Sequence, residues 1–270
     1  MKIMRLALVV LLAFAPHLAH AAFDHSHSAW NQLVGRHVVV REGGKASKVR
    51  YAAFAKDRAA LRAYLDSLSA VEKSEFDGWS NAERLAFLIN AYNAFTIELI
   101  LRGYPDIGSI RDLGNVFRSP WRIRFFTLLG SEQNLDAIEH DLIRQPGVFD
   151  EPRIHFAVNC ASIGCPMLRE EAYVAARLDA QLADQTTRFL SDRSRNRYDP
   201  RQRTLEVSKI FDWYRKDFES GLRGIESREA FFAEHAHLLA DSPSDRQTVA
   251  AGAVPIRFLD YDWNLNDAGP

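Results

Sequence analysis

Ser80-Asn81-Ala82-Glu83-Arg84-Leu85-Ala86-Phe87-Leu88-Ile89-Asn90-Ala91-Tyr92-Asn93-Ala94-Phe95-Thr96-Ile97-Glu98-Leu99-Ile100-Leu101-Arg102-Gly103-Tyr104-Pro105 is the stretch whose reading decides the fold class. Ser80 and Glu83 stand in capping-box register: the hydroxyl takes an orphan amide of the first turn and the carboxylate reaches back. Gly103 and Pro105 stop the helix. A helix from about Asn81 to Arg102 follows. The apolar run from Leu85 to Leu101 carries Asn90, Asn93 and Glu98, which argues against a membrane span and leaves no other segment long and apolar enough for one.

Working outward, residues 49 to 67 place Val49, Ala53, Phe54, Leu61, Tyr64 and Leu65 at helical spacing, with Leu68 continuing it. Strands are predicted at Arg122 to Leu128 and at Arg153 to Val158, with a short helix at Leu135 to Arg144 between them. The second strand is almost continuously apolar and is expected to be central. Helices are expected at about 170 to 192, 208 to 219 and 227 to 240, and a last strand at Val254 to Leu259. These elements make a helix-rich α+β single domain with a small central sheet. Gly43-Gly44 separates a short N-terminal segment from the first long helix, and Ser191 to Arg203, with Asp199-Pro200, reads as a polar turn region. Neither is a domain linker, and no internal repeat is present.

The chain start reads as a secretory signal. Lys2 and Arg5 supply positive charge, Leu6 to Ala15 is an apolar run of signal length, and Ala19-His20-Ala21 offers the small-x-small pattern of a cleavage site. Residues 1–21 are therefore expected to be removed, leaving an N-terminal segment 22–48 and a domain 49–265 in the periplasm. No stable membrane span is expected after cleavage. The 34 basic and 35 acidic residues are nearly balanced and interleaved, so no basic stripe advertises nucleic acid.

Five blocks in order resemble a known family: Phe87-Leu88-Ile89-Asn90-Ala91-Tyr92-Asn93-Ala94; Leu135-Asp136-Ala137-Ile138-Glu139-His140; Arg153 to Ser162 with Cys165-Pro166; Ile210-Phe211-Asp212-Trp213-Tyr214 with Asp217-Phe218; and Tyr261-Asp262-Trp263. The stretch from about residue 50 to 265 resembles the domain of unknown function 547 family. The resemblance implies kinship without chemistry, since that family's activity is unassigned. It also implies that an exported bacterial member is ordinary.

The chemistry is therefore argued from residue types. Arg153 to Pro166 delivers His155 and then both cysteines of the chain. A thiol needs a nearby base to become a thiolate at neutral pH, which makes Cys160 a candidate nucleophile and His155 its base. Along a straight strand, residues five apart face opposite sides, so the dyad requires the strand to end or bulge near Asn159. An exported chain with two cysteines equally reads as one that ties Cys160 to Cys165 in a structural disulfide, and a redox-active pair is a third reading. Asn90 and Asn93, three apart on the long helix, either line a cleft or satisfy buried backbone. Glu139 is a candidate to orient His155. Its neighbour His140 diverges by about 100° on an α-helix and is not expected to share the site.

Other motifs point away from function. His25-x-His27 reads as an adventitious metal pair on a floppy terminus, and His235-x-His237 does not face on a helix. The aromatic clusters Phe211-Asp212-Trp213-Tyr214 and Tyr261-Asp262-Trp263 read either as core anchors or as a stacking surface for a ligand. No cofactor or metal motif is present. Two function classes remain. One is a cysteine-dependent hydrolase or acyl transferase on an envelope substrate, with Cys160, His155 and the orienting groups Glu139, Asn90 or Asn93. The other is a non-catalytic periplasmic binding or assembly protein braced by the disulfide, its partner an envelope small molecule or protein.

Overall fold

Ser80 accepts the amide of Glu83 while the Glu83 carboxylate takes the Ser80 N–H at 2.8 Å, and the helix so capped runs over Asn81–Leu101. The computed structural model describes residues 22–115 and 117–269; the expected signal segment, residues 1–21, lies outside them. In chain order the named elements are α1 Ser28–His37, β1 Val38–Arg41, β2 Ala46–Val49, α2 Tyr51–Lys56, α3 Arg58–Ser69, α4 Lys73–Asp77, α5 Asn81–Leu101, β3 Phe126–Leu128 and β4 Ser131–Gln133. A π-helix at Ala137–Ile143 and a 3-10 helix at Pro152–Phe156 follow. Then come α6 Leu178–Leu190, β5 Arg197–Asp199, β6 Thr204–Val207, α7 Ile210–Trp213, a 3-10 turn at Arg215–Phe218, α8 Arg228–Glu234, α9 Ala236–Leu239, α10 Pro243–Ala250 and β7 Ile256–Phe258. The protein is a helix-rich α+β domain. Among the described residues the strands form three small sheets: the β1–β2 hairpin, the β3–β4 hairpin, and β5–β6–β7 with β6 and β7 parallel.

Helix α5 is the axis of the larger core. From Leu85 to Leu101 every side chain is buried, so the helix needs no amphipathic stripe. By length and composition it could cross a membrane, contrary to the expectation from its polar residues, yet 94% of its most apolar window is packed inside the protein. The polar residues are satisfied internally. Arg58 meets the buried Glu98 with Nη2 to Oε1 at 2.7 Å and Nε to Oε2 at 3.1 Å. A paired buried carboxylate is tolerated where an unpaired one would cost several kcal/mol (of order 3–5).

The N-terminal segment belongs to this core. Trp30, Leu33 and Val34 of α1 and Val38 of β1 are buried with α5, and Gly43-Gly44 is the turn of the β1–β2 hairpin, where both glycines adopt positive φ. His27 is buried against the Tyr64 hydroxyl at 2.7 Å, and the His25 ring packs edge-on against Trp79. The expected floppy histidine pair is thus anchored by aromatic packing, and among the described residues no cluster of metal-ligating side chains occurs.

A second core, rich in phenylalanine, gathers Phe189, Phe211, Phe218, Phe231 and Phe232 from α6, α7, the following 3-10 turn and α8. The segment expected as a central strand, Arg153 to Val158, is instead the 3-10 helix Pro152–Phe156 and the loop after it. Its apolar run has another cause. Ile154, Ala157 and Val158 enter the larger core while Phe156 enters the phenylalanine core, so the segment is buried on every side without pairing in a sheet. Pro152 at the start of the helix favours this entry. Further short elements differ from expectation. Only Phe126–Leu128 of the predicted 122–128 strand pairs, the 208–219 helix is broken into α7 and a 3-10 turn, and the expected turn region Ser191 to Arg203 contains the short strand β5, with β6 directly after it.

Candidate functional site

The 3-10 helix places His155 at the seam between the two cores. Arg153 anchors it from below, donating to Glu151 at 2.6 Å and to Asp179 at 2.6 Å, while Gln185 Nε2 of α6 donates to the Phe156 carbonyl at 3.0 Å. The His155 ring lies over Tyr214, centroids 3.8 Å apart at 25°. Its Nε2 meets Asp217 Oδ2 at 2.7 Å, and Asp217 is itself gripped by Arg144 through Nε at 2.6 Å and Nη2 at 2.9 Å. Burial opposes charge on Asp217, but the hydrogen bonds from His155 and Arg144 outweigh it and hold the carboxyl well below the usual range. An ionised Asp217 fixes the Nε2–H tautomer of His155. Burial pushes the imidazole pKa down despite Asp217 and Glu139, so His155 is neutral near pH 7. The other nitrogen, Nδ1, is buried and has no partner.

His155 lines a cavity of about 190 Å³ together with Tyr92, Glu139, Cys160, Cys165 and Tyr261. Glu139 comes from the π-helix, which packs against α5, and both Glu139 and His140 line the cavity. The two were not expected to share one site, yet both line the cavity. Glu139 lies at the bottom, 5% exposed, and its Oε1 has no partner; His140 is at the rim, accepting from Arg144 Nη1 at 2.6 Å through Nδ1. Burial first, and then the Glu139 charge, push the Tyr92 and Tyr214 hydroxyls far above their ordinary pKa, so both remain protonated.

The cysteines form the opposite wall. Cys160 and Cys165 lie at disulfide distance, and Tyr261 Oη caps the pair, 3.0 Å from Cys165 Sγ and 3.2 Å from Cys160 Sγ. The loop between them is held by the C-terminal segment: Ile163 N donates to Asn264 O and Gly164 N to Asp262 O, both at 2.8 Å. A Cβ at Gly164 would lie 3.0 Å from the Asp262 backbone, so this approach requires glycine. The aromatic clusters divide as a result. Phe211 is core, whereas Trp213, Tyr214, Tyr261 and Trp263 line the cavity, with Trp213 46% exposed at its mouth and stacked 5.6 Å from Trp263.

Asn90 and Asn93 act one layer behind. Asn90 exchanges two hydrogen bonds with the Tyr173 backbone, at 2.7 and 3.0 Å. Asn93 donates to Ala157 O at 3.0 Å and accepts from Asn159 N at 2.8 Å, which ties the loop leading to Cys160 onto α5. Both amides are spent on backbone and neither lines the cavity. The structure thus brings His155, Glu139 and Cys160 together around one cavity. Asp217, Arg144 and Tyr261 complete the site without having been singled out for it; the Trp213-Tyr214 and Tyr261-Asp262-Trp263 clusters were the available signal.

The family described as "Protein of unknown function, DUF547" matches residues 76–190, less than half of the chain. That span includes Tyr92, Glu139, His155 and both cysteines and stops short of Asp217 and Tyr261. No curated protein and no solved structure matches the chain.

Proposed function

We propose that the protein is an exported hydrolase of acyl substrates in which His155, oriented by Asp217, is the general base and water the nucleophile. The observation that carries this reading is the 2.7 Å bond to an ionised Asp217 from Nε2 of His155, a residue that lines a cavity and whose Nδ1 has no partner. A neutral imidazole held in one tautomer by a carboxylate is the acid–base half of a catalytic triad. Nδ1 takes a proton from water as hydroxide adds to the acyl carbon. The imidazolium, stabilised by Asp217, then returns that proton to the leaving oxygen or nitrogen as its bond to carbon breaks. Glu139 Oε1 is an acceptor for a substrate N–H or O–H, and the Trp213–Trp263 wall offers an apolar stacking face. Export rests on the signal pattern of residues 1–21 and puts the substrate in the cell envelope.

The expectation of a cysteine nucleophile carries over only to a reduced state, because a sulfur at disulfide distance from its partner has no thiolate to offer. The same pairing favours the second reading, a binding protein with a braced wall. A panel of chromogenic acyl esters and aminoacyl anilides, assayed with the oxidised protein and with His155→Ala, separates them. Turnover lost in His155→Ala supports the hydrolase; ligand binding without turnover supports the binding protein.

A further inference from the structure

The two sulfurs have unequal surroundings. Cys165 is 4% exposed, and two donors converge on its Sγ: the Cys160 amide at 3.0 Å and the Tyr261 hydroxyl at 3.0 Å. The guanidinium of Arg195, itself paired with Asp192, donates to the Cys165 carbonyl and fixes the backbone there. Cys160 is only half-buried on the cavity wall and has Tyr261 Oη at 3.2 Å as its close polar neighbour. A sulfur with two donors at hand is the better thiolate and hence the better leaving group, whereas the accessible sulfur is the one an incoming thiolate can reach.

We propose that Cys160–Cys165 is an exchange-active disulfide, attacked at Cys160 and releasing Cys165 as the thiolate. The incoming thiolate, from a dithiol in the envelope, forms an S–S bond to Cys160 as the Cys160–Cys165 bond breaks and its electron pair goes to Cys165. The second thiolate of the donor then attacks its own sulfur in the mixed disulfide. The donor leaves oxidised and Cys160 is released as the second thiolate, so two electrons have moved from donor to protein. Opening the bond removes one of the ties on the 160–165 loop of the cavity wall, beside those to Asp262 and Asn264, which gives the redox poise of the compartment a hold on the site. The exchange stands independently of the hydrolase reading, since it needs no substrate in the cavity.

The test uses the mature protein without any hydrolysable substrate. The oxidised protein is exposed to a limiting monothiol, quenched with acid, and the adduct mapped by mass spectrometry; the reduced protein is alkylated across a pH series. The proposal expects the adduct on Cys160 and a lower alkylation midpoint for Cys165. It also expects exchange in Tyr261→Phe to slow by about threefold to tenfold, the worth of one hydrogen bond to the leaving sulfur. A melting curve shows that Tyr261→Phe is folded, and the wild-type adduct map stands on its own if it is not. An adduct on Cys165, equal midpoints, or two free thiols after treatment with an oxidant would overturn the proposal.

Discussion

Asp217 binds His155 across 62 residues of chain, and the bond falls on Nε2, so the nitrogen left without a partner is Nδ1. The pair is assembled from two elements that each look unremarkable alone, a 3-10 helix and a 3-10 turn, docked by Phe156 and Phe218 in a shared core. The base is thus positioned by packing, and its protonation by burial and a carboxylate.

Removing that carboxylate charge should expose its role. Asp217→Asn is expected to lower kcat by about 100- to 10,000-fold, with KM much less affected, because the amide loosens both tautomer and imidazolium. The acid limb of the kcat profile, set by the fraction of neutral His155, lies below the ordinary histidine range in the wild type and moves lower still in the variant. Steady-state kinetics from pH 4 to pH 8 on an active ester would check both.

Acid stability follows from the buried histidines. Burial lowers the His27 pKa to about 4 and pushes His155 down as well. The unfolded chain therefore takes up protons from about pH 6.5 downward before the folded protein does, and stability is lost as pH falls through that window. His27 alone accounts for about 3 kcal/mol by pH 4. Asp217, held low in the fold, adds a further loss below its unfolded pKa near 3.8. Denaturant titrations between pH 7 and pH 4 should show the slope, and His27→Gln should flatten it.

The two asparagines of α5 should be alike in stability. Asn90→Leu strands the Tyr173 amide and carbonyl, and Asn93→Leu strands Ala157 O and Asn159 N; each orphaned buried group costs about 1–3 kcal/mol. Losses of similar size in thermal melts are expected, and a neutral Asn93→Leu would contradict its role in holding the loop before Cys160.

Export predicts a mature chain beginning at Ala22. N-terminal sequencing of protein recovered from the envelope fraction checks this; Met1 retained would contradict it.

The parts legible in the sequence were those with local causes. The α5 cap is written in Ser80 and Glu83, and its end in Gly103. The strand predicted over Arg153 to Val158 failed because a run buried on all sides has no periodicity, and neither side-chain spacing nor composition distinguishes a central strand from a helix wedged between two cores. His155, Glu139 and Cys160 were found by residue type. Asp217 was not, since its partner is distant in sequence and only the fold of the phenylalanine core brings it back. Pairing Glu139 with His140 was excluded on α-helical geometry, yet both line the cavity, Glu139 buried and His140 part-exposed.

The most direct test of the central claim is turnover by the oxidised wild type, Cys160→Ser/Cys165→Ser and His155→Ala, measured side by side on the best substrate of the acyl panel. With water as nucleophile and His155 as base, the cysteine-free protein keeps kcat within about threefold of the wild type while His155→Ala loses about 100-fold or more. Loss of turnover in the cysteine-free protein with its fold intact, or full turnover in His155→Ala, would contradict it.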